Sequence, residues 1–431
     1  MKKLAFLSLL VSVLACKNEP TKSGSITKED ATYKNQPTTT INKIKEDVAY
    51  LADDKLEGRQ TGTDGEKKAS EYLVKRFKEM GIEPKGTEGY LQPFSFKPKT
   101  DPHKEVEFTT NADSTITGNN VIGYINNNAK TTIVIGAHYD HLGYGGEGSL
   151  YRGEEKAIHN GADDNASGVA IMLNLASRLK VRNNNAEVKD KNNYLFMSFS
   201  GEEMGLLGSN YFSKNPTIDA ESINYMINMD MVGRMKADST LAVYGVGTSP
   251  LFKQTIKSNN EKFKLIENES GVGPSDHTSF YLIDVPVLHF FTGQHEDYHK
   301  PSDDFEKLNY EGMDLISDYI YNIITDLDDN GELAFRKTKN ESEETPRFKV
   351  GLGVVPDYLY DGKGMRIDGT REETPAFNAG LQKGDVVVKL GDSTVTDMMS
   401  YMRALSVFNK GDKADITVKR GEETIETKVK F

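Results

Sequence analysis

The sequence predicts an α/β fold, in which a mostly parallel central sheet is flanked by helices and followed by a small, mainly β domain. Three observations lead there. Apolar runs short enough to be strands alternate with longer amphipathic stretches between Asp64 and Leu327, the pattern of a sheet covered on both faces. Several runs stop at an imidazole or a carboxylate, and in open α/β sheets ligands bind outside the carboxyl ends of the strands. The composition then shifts at 337–346 into Lys-Thr-Lys-Asn-Glu-Ser-Glu-Glu-Thr-Pro, beyond which the runs are short and β-rich.

From the N-terminus, Lys2-Lys3 precede an apolar run from Leu4 to Ala15, and Cys16 follows. That run is too short for a comfortable transmembrane helix and has the layout of a signal peptide. Leu14-Ala15-Cys16 resembles a bacterial lipobox, which implies cleavage before a lipidated Cys16 and a protein anchored to the cell envelope. Lys17, where an Asp would retain the protein, favours the outer membrane. An ordinary secretory signal with an incidental Cys16 is the plainer alternative. Residues 1–16 are thus assigned to the signal and the polar stretch 17–40 to a disordered tether.

The folded part is expected from Ile41, with a first domain over 41–336. Asp64 to Met80 reads as an amphipathic helix with Ala69, Tyr72, Leu73, Phe77 and Met80 on one face, Asp64 as N-cap and Gly81 as the stop. Strands are expected near Val106–Thr109, Asn120–Ile125 and Thr132–Ala137. Helices follow from about Ala166 to Lys180, from near Glu203, and from Met313 to Leu327. Residues 337–347 form a charged linker and 348–431 the second domain, with strands at Val386–Leu390 and Ala414–Val418. Within that domain Gly351-Leu-Gly-Val354 and Ala379-Gly-Leu-Gln-Lys-Gly-Asp385 resemble PDZ signatures, which implies backbone amides that hold a peptide's C-terminal tail. A small β domain that only packs on the first is the structural alternative.

Composition narrows the function. The 431 residues suggest roughly two to three domains. Hydrophobic residues at 37%, with 20 Tyr and 19 Phe, suffice for a real core. A net charge of -12 argues against nucleic acid as a main partner, since phosphate binding needs a basic surface. With a single Cys, no disulfide can form within the chain.

Five residues carry the chemistry: His138, Asp164, Glu203, Asp230 and His299. Four of them stand where an apolar run gives way to a polar loop. Two imidazoles and three carboxylates make a nitrogen-and-oxygen donor set suited to zinc or a similar divalent ion.

Residues 47–328 resemble the co-catalytic di-zinc aminopeptidases of peptidase family M28. The matching segments are Leu56-Glu-Gly-Arg-Gln-Thr-Gly-Thr63, Ala137-His-Tyr-Asp-His141, Asn160-Gly-Ala-Asp-Asp-Asn-Ala-Ser-Gly168, Ser200-Gly-Glu-Glu203, Asn228-Met-Asp230 and Tyr298-His-Lys-Pro-Ser-Asp303. The resemblance implies a zinc aminopeptidase-like fold and two zinc ions per chain. His138 and Asp230 would hold one ion, Glu203 and His299 the other, and Asp164 would bridge them. The choice of Asp164 over Asp163 rests on the family pattern. Asp140 would accept the second ring N–H of His138. Glu202 would be the general base, and Tyr298 would face the tetrahedral oxyanion. A cis peptide between Asp164 and Asn165 is also implied. Asp276-His277 resembles a segment near the substrate pocket, and His295 is expected either in support or in a direct role. His289 reads as a core histidine, and His103, His141 and His159 carry no assignment.

Removal of N-terminal residues from peptides is the leading expectation. A glutaminyl cyclase-type acyltransferase shares the fold but works with one zinc and commonly lines its pocket with Trp, which this chain lacks. A carboxypeptidase-type relative and a non-catalytic peptide-binding protein are also compatible with the pattern.

Overall fold

The computed structural model describes residues 37–98, 107–109, 115–146, 148–338, 349–357, 360, 362–371 and 373–431. The signal, Cys16 and His103 lie outside them, as does nearly all of the charged linker. Residues 35–431 form one compact unit.

The helix α1 (Pro37–Leu51) starts before the expected boundary at Ile41, so 37–40 belong to it rather than to the tether. Proline is favoured in the first helical turn, and the Thr run behind it disguises the start. The helix α2 spans Asp64–Glu79, but its N-cap is Thr63, whose hydroxyl accepts from Glu66 N; Asp64 is the first helical residue. Then come β1 (Glu83–Pro84), β2 (Leu91–Phe96), β3 (Ile116–Ile125), β4 (Thr131–His138), α3 (Gly168–Asn183) and β5 (Asn192–Phe199). The helix after β5, α4, begins at Leu207 rather than Glu203, because 202–206 form a turn. The domain ends with β6 (Ile223–Met229), β7 (Thr240–Tyr244), α5 (Phe252–Ser258), β8 (Lys264–Asn268), α6 (His277–Tyr281), β9 (Val287–Phe291) and α7 (Tyr310–Leu327).

The sheet order is β1-β3-β5-β4-β6-β9-β7-β8, with β2 also on β3. The centre, β5-β4-β6-β9, is parallel, as is the edge pair β7-β8; β3 joins β5 and β7 joins β9 antiparallel. Side chains alternate between faces along a strand. Ile133 and Ile135 therefore pack with α1, α3 and α7, while Val134 packs with Phe212 of α4 and Phe280 of α6. Both strands that follow β4, first β5 and then β6, pair with it on opposite sides. A cleft is expected at that reversal, outside the carboxyl end of β4. His138 is the last residue of β4.

The second domain is an antiparallel sheet in the order β10 (Val354–Pro356), β11 (Met365–Thr370), β12 (Val386–Leu390), β14 (Lys413–Arg420) and β15 (Glu423–Lys430), with β13 (Ser393–Thr394) on β12. Two helices, α8 (Pro375–Asn378) and α9 (Met398–Ser406), accompany it. Tyr401, Ala404 and Leu405 of α9 share a core with Val387, Ile416 and Val418. The strand β10 stands at the edge of this sheet.

Candidate active site

All five expected donors meet at the carboxyl ends of the central strands. Asp230 follows β6 directly, Glu202 and Glu203 occupy the turn after β5, and His299 lies in the loop after β9. Asp164 sits in a wide turn over Ala162–Ser167 that leads into α3, and the Asp164–Asn165 peptide is cis. His138 Nε2 is 3.3 Å from Asp164 Oδ1 and 3.3 Å from Asp230 Oδ1. His299 Nε2 is 3.2 Å from Asp164 Oδ2 and 3.3 Å from Glu203 Oε2. Asp164 thus turns one oxygen to each imidazole.

The neighbouring Asp163 faces elsewhere. Its Oδ1 accepts from Gly233 N at 2.6 Å, and its Oδ2 lies 3.1 Å from His295 Nε2. His295 accordingly supports the turn that carries Asp164. Asp303 shapes the same turn, with Oδ2 accepting from both Asp163 N and Asp164 N at 3.0 and 3.1 Å.

Asp140 departs from the expected pairing. Its Oδ1 lies 3.7 Å from His138 Nδ1, longer than a hydrogen bond, and its backbone carbonyl is nearer at 3.3 Å. The carboxylate is engaged otherwise: Oδ1 accepts from Glu202 N at 3.1 Å and Oδ2 from the Thr61 hydroxyl at 3.1 Å. His299 does show an outer hydrogen bond, with Nδ1 2.8 Å from Gly148 O. That contact fixes Nδ1 as the donor and leaves Nε2 for the carboxylates.

Three residues of consequence have no role assigned by the sequence. His141 is buried with Nδ1 2.7 Å from Glu203 Oε1, and with Asp164 and Glu203 it forms a second donor cluster beside the His138–Asp164–Asp230 group. Its place three residues after His138 is the available signal. Arg59 is fully buried, pairs with no carboxylate among the described residues, and donates to backbone carbonyls of Leu51, Tyr139, Asn160 and Gly161. It ties the loops that carry Asp140 and Asp164. Glu66 reaches the same region, contacting the Ser200 hydroxyl and accepting from Gly62 N at 2.6 Å. Burial raises its pKa to about 7. Gly161 (φ +55) passes so close to His141 that a Cβ would stand 2.2 Å from Asp164 O and 2.5 Å from the ring.

The other described histidines lie outside both donor clusters. His289 is buried in β9, accepts from Asn228 Nδ2 at 3.1 Å and stacks on His277 at 4.4 Å. Burial holds His289 down at about 4 and His277 well below its ordinary value, so both are neutral. His159 contacts the Ser149 hydroxyl at 2.7 Å.

The charge balance shows what the cluster demands. Burial would lower His299, but Glu203 and Asp164 overcome it and raise the imidazole to about 11. Burial likewise opposes a charged His138, yet Asp230 and Glu202 push it well above its ordinary value. Against burial, hydrogen bonds to His138 and His299 hold Asp164 well below the carboxylate range. Burial and Asp164 work against Glu203 ionisation, yet His299 and His141 bring it to about 2. Burial raises Glu202 well above the carboxylate range, with His138 opposing and Asp230 and Glu203 reinforcing. The site therefore calls for positive charge among fixed carboxylates. Glu203 Oε1 is also buried without a well-aligned hydrogen bond. Divalent zinc answers both conditions, and the donor set fits it.

A cavity of about 130 Å³ opens onto these groups. Asp164, Glu202, Glu203 and Asp230 line its acidic side; Met231, Tyr244 and Phe291 line its apolar side. Tyr298 also borders it, its ring stacked on His299 at 3.8 Å.

Comparison with known proteins agrees with this geometry. A model described as peptidase family M28 matches residues 120–324, and a PDZ domain model matches 337–431. A probable leucine aminopeptidase of Trichophyton verrucosum is 31% identical over 174 residues, covering 39% of this chain and 44% of the relative. The chain thus spans less than half the length of that curated relative. Among solved structures, a zinc aminopeptidase from Bacillus subtilis is similar at a TM-score of 0.52 and 16% identity, over 68% of this chain and 95% of the other. Porphyromonas gingivalis glutaminyl cyclase is similar at 0.51 and 16%, over 67% and 98%. At such identity these two likenesses speak for the fold. With both models matched in sequence order, the chain carries a peptidase family M28 domain followed by a PDZ domain.

Proposed function

We propose that this protein is a metallo-aminopeptidase that removes N-terminal residues from peptides with two zinc ions per chain. The single observation that carries the reading is the pair of imidazole–carboxylate groups joined at Asp164, with Glu202 alongside. His138 and Asp230 would hold one ion, Glu203 and His299 the other, with Asp164 shared. Zinc, when bound, polarises the scissile carbonyl and lowers the pKa of an attacking water.

The chain's own residues do the rest. Glu202, held by its backbone N–H on Asp140, takes a proton from the attacking water and returns it to the departing amine. Burial and the nearby carboxylates of Asp164 and Glu203 keep the Tyr298 phenol protonated, so it can donate to the oxyanion. The acidic side of the cavity attracts the substrate's free ammonium, and Met231, Tyr244 and Phe291 accept an apolar N-terminal side chain. Two donor groups rather than one disfavour a one-zinc cyclase.

Aminoacyl-anilides, free and N-blocked, with and without a chelator, test the reading. Cleavage of the free-amine substrates alone, lost on chelation, is expected. Glu202→Gln should keep the metal and lose on the order of 10²–10⁴-fold in kcat. Unchanged turnover would exclude Glu202 as the base.

Two further proposals concern context. The edge position of β10, just after Gly351–Gly353, supports capture of a peptide tail by strand addition. The Lys2-Lys3, apolar run and Cys16 support export and a lipid anchor in the cell envelope. No helix among the described residues is long and apolar enough to cross a membrane. Cys16→Ser should abolish labelling by a palmitate analogue and release the protein from the membrane fraction.

A further inference from the structure

Tyr298 borders a second cavity, of about 360 Å³, between the two domains. The peptidase domain contributes Arg152 and Lys300 to it; the PDZ domain contributes Asp368 and, just after β11, Arg371. Among the described residues the two guanidinium groups here have no acidic partner. Arg152 donates to the carbonyls of Ser149 and Tyr151 at 3.4 and 3.2 Å, and among the described residues neither Arg152 nor Arg371 forms an ion pair. Asp368 is taken by Lys383 at 3.0 Å, and Lys300 donates to the carbonyl of Glu296. Desolvation in the cavity, and then the charge of Arg152, lower the pKa of Arg371, whose surface stays exposed, so the two guanidinium groups feel each other.

An otherwise acidic chain therefore places two guanidinium groups, with no ion-pair partner among the described residues, next to its acidic cavity, with one tyrosine common to both. Guanidinium groups suit carboxylates because they can offer two parallel N–H donors. A short peptide is a zwitterion with matching polarity. Its ammonium suits the side lined by Glu202, Glu203 and Asp230, and its far end suits the arginines.

We propose that Arg152 and Arg371 bind a substrate carboxylate on the leaving-group side of the scissile bond, which makes short peptides with a free C-terminus the preferred substrates. The inference rests on the aminopeptidase reading and gives the PDZ domain a direct part in substrate choice. An acidic side chain downstream of the scissile bond offers the same chemistry, and the test separates the two sources.

The test compares kcat/KM of the zinc-loaded full chain for di-, tri- and tetrapeptides as free acids, as C-terminal amides, and as amides with Glu downstream. At one or more lengths the free acid should exceed the plain amide by tenfold or more. That ratio should fall towards one in Arg371→Gln and in Arg152→Gln, which lie in different domains, so misfolding of one variant leaves the other to decide. A Glu-containing amide that matches the free acid would assign the site to any downstream carboxylate. Equal turnover of acids and amides at every length, or a ratio kept in both variants, overturns the proposal. Wild-type cleavage of an aminoacyl-anilide, which has no downstream carboxylate, reports on the aminopeptidase reading separately. Calorimetric binding of an uncleaved N-acetyl dipeptide, acid against amide, reads the arginines without turnover, and equal affinity for the two overturns the proposal.

Discussion

The carboxylate of Asp140 accepts the backbone N–H of Glu202 at 3.1 Å, while the carbonyl of Asp140 lies 3.3 Å from Nδ1 of His138. One residue thereby sets both the proposed base and a proposed ligand. Asp140→Ala should leave Glu202 in place chemically but loosely held. A displacement near 1 Å can cost about 10²-fold in rate. The expected outcome is a loss of that order in kcat with a weaker effect on KM, read from steady-state kinetics at saturating zinc.

Asp164 and Asp230 should differ in what they release. Asp164 touches both imidazoles and Asp230 only His138. Asp164→Ala is expected to weaken both ions, and Asp230→Ala chiefly one. Bound zinc per chain after dialysis, measured by elemental analysis, checks this. Equal loss in the two variants would contradict the shared role of Asp164.

Zinc uptake should release protons. In the metal-free chain His299 titrates at about 11 and His138 well above its ordinary value, so both are protonated at pH 7. Ligation needs neutral imidazoles, and zinc affinity should fall as pH falls. Calorimetry in buffers of different ionisation enthalpy should show a net release of protons at pH 7. The sign for stability runs the other way. The folded pKa of His299 is raised, so its contribution is fully present below 6.5 and lost as pH rises through about 11. The metal-free chain should therefore unfold at lower denaturant at pH 10 than at pH 6.

Arg59 should matter for stability more than its distance from the ligands suggests. Arg59→Met would leave the buried carbonyls of Leu51, Tyr139 and Asn160 without their donor. Each unsatisfied buried group costs about 1–3 kcal/mol, so a loss of about 3 kcal/mol or more is expected in denaturant unfolding.

Much of this is legible in the sequence, for identifiable reasons. Continuous apolar runs locate β4 and β5, which are buried on both faces, and helical periodicity locates α2 and α7, each of which buries one face. The five donors are legible from the segments that carry the family resemblance, and the structure brings them together. Orientation is not. The choice between Asp163 and Asp164 depends on a turn built by Asp303 and a cis peptide, which adjacent carboxylates do not disclose. The engagement of Asp140 with Glu202 depends on how two strand ends align, and no spacing encodes it. His141 escapes a sequence reading because its partner Glu203 is remote along the chain. His299 adopts a positive φ of 54°, a conformation dictated by the loop around it rather than by histidine itself.

Asp164 has no spare oxygen: Oδ1 is committed to the His138 side and Oδ2 to the His299 side. Whatever rotates that carboxylate moves both halves of the centre together. Neither half can drift on its own over evolutionary time, because a change that suits one imidazole misaligns the other.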